Sequence, residues 1–117
     1  MLLTQANGCE MFARQIRDEH VRAAEFMSDF AARLREGAAI LHADPTLVAA
    51  GDGRGRCLDA LYEVSRQGTS LVRRAMMGGG ADLWVQAEHH RAWASRVVEE
   101  ARAAAADGTT PDGIDSP

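Results

Sequence analysis

A small number of side chains in this sequence have the types and the spacing that metal or acid–base chemistry requires. His20 and His90 each occupy an apolar seam position of a predicted helix, and Glu88 lies two residues before His90. Helical bundles build metal sites from histidine and glutamate side chains that project inward from facing helices. The Glu-x-x-His spacing of di-iron bundles is not formed by Glu88-His89-His90, so no particular metal is indicated. His20, Glu88 and His90 are therefore candidates for a metal or small-ligand site.

The thiols and hydroxyls lack the neighbours that nucleophilic catalysis needs. Cys57 has no histidine at helical spacing, and Ser65, Ser70 and Ser95 have no local base. Cys9 and Cys57 both take apolar positions in helical patterns, so we expect two free buried thiols. The sequence thus favours a protein that is not an enzyme and has no cofactor. A metal- or small-ligand-binding bundle, or an enzyme built on one, is the alternative.

The charge balance argues against a nucleic-acid partner. The net charge of the 117 residues is −4, and the acidic tail 107–117 contains aspartates but no base, so the rest of the chain is nearly neutral. A nearly neutral body has no broad field to attract nucleic acid or anionic membranes. The arginines of the second predicted helix form a modest basic face, and such faces are typical of a solvated surface.

The sequence also predicts that the chain does not span a membrane. No segment approaches the roughly 20 consecutive apolar residues of a membrane span. Residues 1–9 lack the basic n-region and the long apolar run of a signal peptide. We therefore expect a cytoplasmic protein.

An all-α fold follows from the periodicity of the apolar residues. The first helix is predicted over residues 8–42, with Asn7 and Glu10 at the spacing of a capping box. About 35 residues would form a rod of roughly 50 Å, which cannot bury its own apolar seam. The seam residues recur at alternating steps of three and four, which places them on one side of a helix. They are Ala13, Ile16, His20, Ala23, Met27, Phe30, Leu34, Gly37 and Leu41.

Two further helices are predicted over residues 57–77 and 82–106, separated by the glycine run 78–80. A short helical turn is predicted over 46–50, followed by a glycine-rich loop over 51–56. Gly37 and Gly68 fall within the seams and indicate places where helices approach closely. The expected architecture is an antiparallel bundle of three main helices plus a short helical turn, spanning residues 1–106. The acidic tail 107–117 is expected to be disordered.

The aromatic residues suggest a surface for association. Phe12 and Phe26 flank the seam of the first helix and broaden it, and Trp84 and Trp93 lie at the edges of the last helix. A small alanine-rich domain buries limited apolar area alone, so we expect a homo-oligomer, most simply a dimer. An apolar polymer surface or a partner helix could cover the same apolar stripe instead. The predicted interaction residues are Phe12, Phe26, Phe30, Leu34, Trp84 and Trp93.

The stretch Glu25–Met77 carries a family resemblance. A long amphipathic helix is followed by a break at Asp44-Pro45 and then by a second helix with polar residues in its middle. The residues concerned are Phe26, Phe30, Leu34 and Arg35 in the first helix, and Tyr62, Glu63, Arg66 and Gln67 in the second. This pattern resembles the phasins, small helical proteins of polyhydroxyalkanoate granules. The resemblance implies a protein that coats an apolar polymer surface and oligomerises.

A second resemblance concerns the connection between the last two helices. The helical hairpin is similar to the small helical-hairpin proteins of type VII secretion. Their Trp-x-Gly turn is absent here, and Trp84-Val85-Gln86 follows the glycines 78–80 in its place. This resemblance implies a small helical secretion-system substrate or chaperone. It is a second alternative to the interaction protein that the apolar seams favour.

Overall fold

The computed structural model describes residues 2–43 and 53–106, with the side chains of 58–103 in the second range. Over these residues the chain is all-helical and contains no strand, which confirms the predicted fold class. The helices are α1 (Leu2–Ile16), α2 (Val21–Ala43), α3 (Gly53–Met76) and α4 (Ala81–Ala106). None of these four helices is long and apolar enough to cross a membrane. The predicted helical turn over 46–50 and the predicted disorder of 107–117 lie outside the described residues.

The predicted single helix over residues 8–42 is wrong, because the chain reverses direction at Arg17–His20. The described part of the bundle therefore has four helices where three were expected. The backbone N–H groups of Glu19 and His20 both donate to the Ile16 carbonyl, at 3.1 and 2.7 Å, and these bonds close α1. A straight rod would leave much of its apolar seam in water. The reversal lets α1 bury its part of the seam against α2 and α3.

Two other predicted boundaries are also wrong. Because α1 begins at Leu2, Asn7 does not cap a helix, and its Oδ1 accepts a hydrogen bond from Arg35 at 3.2 Å. Helix α3 begins at Gly53, so the loop predicted over 51–56 is helical from Gly53 onward. Glycine destabilises a helix interior by about 1 kcal/mol relative to alanine. The glycines at the start of α3 lie in the first turn, where the backbone N–H groups have no acceptor within the helix, so this cost does not prevent the helix from beginning there.

Successive helices run in opposite directions. In the α1–α2 hairpin, Arg17 Nη2 donates to Ser28 Oγ at 3.1 Å close to the turn, and Arg35 pairs with Glu10 farther from it. In the α3–α4 hairpin the chain reverses over residues 77–80. The two hairpins pack together into an up-down-up-down arrangement.

Helix α2 is the central element, because it packs against each of the other three helices. Within the described residues α1 and α4 do not contact each other, so they occupy opposite corners of the bundle. Helices α2 and α4 are parallel, since their contacts follow the same order along both. These contacts join Arg22 to Trp84, Asp29 to Arg91, and Glu36 to Arg102.

Two glycines allow α2 and α3 to approach closely, as their seam positions predicted. The ring of Phe30, which is fully buried, lies over Gly68, and a Cβ at that position would clash with it. A Cβ at Gly37 would lie 2.5 Å from Cδ2 of Leu61 and 3.1 Å from Cδ2 of Leu58. The junction between the two hairpins therefore depends on the absence of side chains at these two positions.

Candidate functional site

The described structure does not bring His20, Glu88 and His90 together as metal ligands. His20 lies in the α1–α2 turn, so its predicted position on a helical seam is wrong. Glu88 is held by Arg91, whose hydrogen bond lowers the pKa of the carboxyl. His90 Nδ1 lies 2.9 Å from the Gln86 carbonyl, one turn earlier on α4. Within residues 2–43 and 53–106, no three histidine, cysteine or acidic side chains are grouped to hold a metal ion.

Cys9 is a buried thiol in the contact between α1 and α3, as predicted. Its Sγ lies 3.6 Å from Oγ1 of Thr69, and Ser65 lies one turn earlier on α3 with a fully buried hydroxyl. Burial raises the pKa of the Cys9 thiol. Since the thiolate is the reactive form, this environment suits a structural cysteine and not a nucleophile. The side chain of Cys57 lies outside the described part of the chain.

The six predicted interaction residues fall into different environments. Phe26, Phe30 and Leu34 are buried in the core of the chain itself. Phe12 and Trp84 are half-buried, and Trp93 is 46% exposed. In this conformation Trp93 is thus the one member of the set that solvent reaches freely. A role for all six in one interface stays a prediction.

The two interhelical turns that the structure describes lie at the same end of the bundle. We call it the turn end and define it by residues 17–22 and 73–85. Among the described side chains, six large apolar ones are exposed, and three of these belong to the turn end: Val21 at 57%, Met77 at 85% and Val85 at 54%. Seam-based reasoning did not find these residues because they lie off the apolar seams. Their shared signal is their position beside a chain reversal.

An aromatic pair covered by an arginine lies beneath the turn end. The rings of Phe26 and Trp84 have centroids 5.6 Å apart at an interplanar angle of 41°. The guanidinium carbon of Arg22 lies 4.6 Å from the Trp84 ring centroid. On the α1 side, Arg73 covers Phe12 in the same way at 4.8 Å. Each such cation–π contact contributes about 0.5–1 kcal/mol at an exposed site, so these arginines are ordered over apolar surface.

The turn end carries charges of both signs. Its basic residues lie in the α1–α2 turn, at the start of α2 and in the last turn of α3, whereas its acids lie in the α1–α2 turn and at the start of α4. The bases are Arg17, Arg22, Arg73 and Arg74, and the acids are Asp18, Glu19 and Asp82. A surface that carries both signs is able to pair with a second copy of itself, because a two-fold contact can place the acids of one copy against the bases of the other.

The two turns at this end are built differently. The α3–α4 turn uses positive φ angles at Gly78 and Gly80, of 91° and 93°. The α1–α2 turn over residues 17–20 contains no glycine and no residue with positive φ. Its backbone conformations are therefore available to any L-amino acid. This difference separates a reversal fixed by local sequence from one that depends on the packing around it.

Comparison of this chain with protein-family models, with curated proteins and with solved structures finds no significant match. The turn end is distinguished by its exposed apolar side chains, its charges of both signs and its two differently built turns.

Proposed function

We propose that this protein is a non-catalytic helical interaction protein that self-associates as a dimer through the turn end. The observation that carries the proposal is the grouping of Val21, Met77 and Val85, all more than half exposed, at one end of the bundle. Single exposed apolar residues are ordinary on a protein surface, whereas several at one place mark contact sites.

The charges of the turn end support a second copy as the partner. A two-fold axis that passes between the acids and the arginines of the turn end would bring Asp18 and Glu19 of one copy near arginines of the other. A partner of a single charge sign would be repelled by part of this surface. Such rim charges favour orientation and association rate more than they favour affinity.

The test is the molar mass of the full chain in solution. We expect sedimentation equilibrium to give a dimer at tens of micromolar. Met77→Glu/Val85→Glu should shift the mass toward the monomer, because both charges enter the contact. Leu3→Glu, at an exposed apolar position at the opposite end of α1, is the matched control and should leave the dimer intact. A wild-type monomer at these concentrations would overturn the proposal.

Coating of an apolar surface is the second candidate, and the same exposed residues favour it. The phasin resemblance implies this activity, and the turn end is the part of the closed bundle that would meet such a surface first. Sedimentation with amorphous polyhydroxyalkanoate particles tests it directly. Retention of wild type and loss of Met77→Glu/Val85→Glu from the pellet would support coating. Equal behaviour of wild type and variant would argue against it.

A further inference from the structure

We infer that the dimer forms by exchange of α1: the turn at residues 17–20 straightens, and α1 of one copy occupies the α1 position of a second copy. This inference rests on the proposed self-association and specifies how the two copies join. Domain exchange of this kind needs a hinge able to adopt a second conformation, an element that detaches at low cost, and a surface that covers the new junction. The described residues provide all three.

The hinge is compatible with a continuous helix. The steps of three and four continue without interruption from Ala13 and Ile16 through His20 to Ala23 and Met27. A straightened hinge would therefore keep α1 and α2 in one helical register. No glycine or proline occurs between residues 8 and 37, and no residue of the turn has a positive φ. Residues 17–20 therefore contain no helix-breaking glycine or proline.

The fully buried side chains of α1 are mostly small. They are Leu2, Ala6, Cys9 and Ala13, of which only Leu2 is large, while Phe12 and Ile16 pack half-buried against the core. Small side chains bury little apolar area, so detaching α1 costs less than detaching a helix anchored by leucines and phenylalanines. Helix α2 differs in this respect, since it contributes Phe26, Phe30 and Leu34 to the core. The contacts that α1 gives up with α2 and α3 are made again on the second copy, whereas contacts of the hinge itself, such as Arg17 with Ser28, are lost.

The direction of the straightened helix specifies where the second copy sits. Helix α1 would continue the axis of α2 beyond the turn end, so the partner must receive it there. The two bundles then meet end to end, with their turn ends facing each other. Val21, Met77 and Val85 lie at this junction, which is new in the exchanged dimer. The exposed apolar residues and the glycine-free hinge are thus explained by one arrangement.

Site-specific cross-linking distinguishes exchange from simple pairing. Glu10 and Arg35 form an ion pair between α1 and α2. Cysteines at these two positions, in a chain with Cys9→Ala and Cys57→Ala, are joined with a short bis-maleimide at tens of micromolar. An exchanged dimer gives a covalent dimer on a denaturing gel, because the α1 of one chain lies on the α2 of the other. Asp29→Cys/Arg91→Cys joins α2 to α4 within one chain in either case and is the control.

The outcomes separate the two proposals. A covalent dimer for the 10/35 pair with a covalent monomer for the 29/91 pair supports exchange. Covalent monomers for both pairs in a sample whose molar mass is dimeric overturn exchange and leave self-association standing. A monomeric sample overturns self-association itself.

Hinge variants provide a measurement that needs no cysteines. Asp18→Ala/Glu19→Ala favours the straight helix, whereas Asp18→Gly/Glu19→Gly disfavours it by about 1 kcal/mol per residue relative to alanine. Because each exchanged dimer contains two hinges, the dissociation constants of the two variants should differ by roughly 100-fold or more, with the alanine variant tighter. Equal dissociation constants would contradict a straightened hinge.

Discussion

The two chain reversals at the turn end show two ways in which a helical hairpin is specified. At the α3–α4 reversal, the Gly79 N–H donates to the Arg74 carbonyl and the Gly78 N–H to the Ala75 carbonyl, both at 3.2 Å. With Gly78 at a φ of 91°, these bonds form a Schellman motif, which ends a helix by its own local geometry. A Cβ at Gly79 would lie 2.7 Å from the Arg74 carbonyl oxygen, so this position also needs glycine for space.

The α1–α2 reversal lacks such local specification. Its two closing bonds, from Glu19 and His20 to the Ile16 carbonyl, are of the kind that any helix end forms. What holds the reversal is the contact of α1 with its neighbours, including the bond from Arg17 to Ser28 and the pairing of Glu10 with Arg35. One reversal is therefore encoded in its own residues, and the other exists because tertiary contacts favour it.

The largest loss of stability is expected when the α3–α4 reversal is disrupted. Gly78→Ala/Gly80→Ala forces two alanines into the left-handed region, at about 1–2 kcal/mol each. Urea unfolding followed by circular dichroism should show a loss of roughly 2–4 kcal/mol in the free energy of unfolding.

The matched control places two alanines in the other reversal. Asp18→Ala/Glu19→Ala should change the free energy of unfolding by less than about 1 kcal/mol, since only favourable charge near the start of α2 is lost. All three proteins are unfolded at a concentration low enough for each to be monomeric, because the alanine pair also tightens association, and association adds to the apparent stability. Similar losses for the two pairs would contradict the distinction between the reversals.

This distinction also explains how far the sequence predicts the fold. The glycine run 78–80 predicted the second reversal correctly, because its signal is local. The first reversal was missed because the apolar seam continues through His20. The spacing of apolar residues shows that a seam is buried but does not show which helix buries it. A usable signal existed in the charges. Arg14 and Arg17 precede Asp18 and Glu19, and bases at a helix end followed by acids at a helix start match the two helix dipoles.

The candidate site was predictable only in part, for a related reason. Trp93 is exposed, as a surface anchor would be, but Phe26 and Phe30 are used within the core. A broad apolar stripe predicts burial and does not specify whether the cover comes from the same chain or from another. Val21 and Met77 carry no periodic signal, and their importance becomes visible only once both reversals are placed at one end.

The next prediction concerns how stability depends on pH through the ion pair between Glu10 and Arg35, which holds α1 in the first reversal. The hydrogen bond from Arg35 lowers the pKa of Glu10 below its ordinary value of 4.5. A carboxyl whose folded pKa is lowered contributes stability above its unfolded pKa and loses that contribution as pH falls through the folded one. Glu10→Gln should therefore lower stability at pH 7. The difference from wild type should shrink as pH falls below about 4.5 and vanish once pH is below the lowered folded pKa of Glu10.

Urea unfolding of wild type and variant across pH 3 to 7 measures this difference. Glu100→Gln changes an exposed α4 carboxyl that forms no ion pair with the described residues, so it should show no comparable pH dependence. A difference at Glu10 that persists unchanged at pH 3 would mean that α1 is held by other contacts.

The smallest expected effect again uses a glycine, at a position where no reversal needs one. Gly8 lies within α1, it has no positive φ, and a Cβ built on it meets no atom within 4 Å. Gly8→Ala should raise the free energy of unfolding by about 0.5–1 kcal/mol, because alanine loses less backbone entropy in a helix. Helix α1 is helical both in the closed bundle and in the exchanged dimer, so the molar mass should not change.

Gly68→Ala is the contrast, since its methyl group meets the Phe30 ring and should destabilise the bundle. Thermal unfolding of both variants measures the two signs, and a destabilised Gly8→Ala would show that the outer side of α1 is covered in solution.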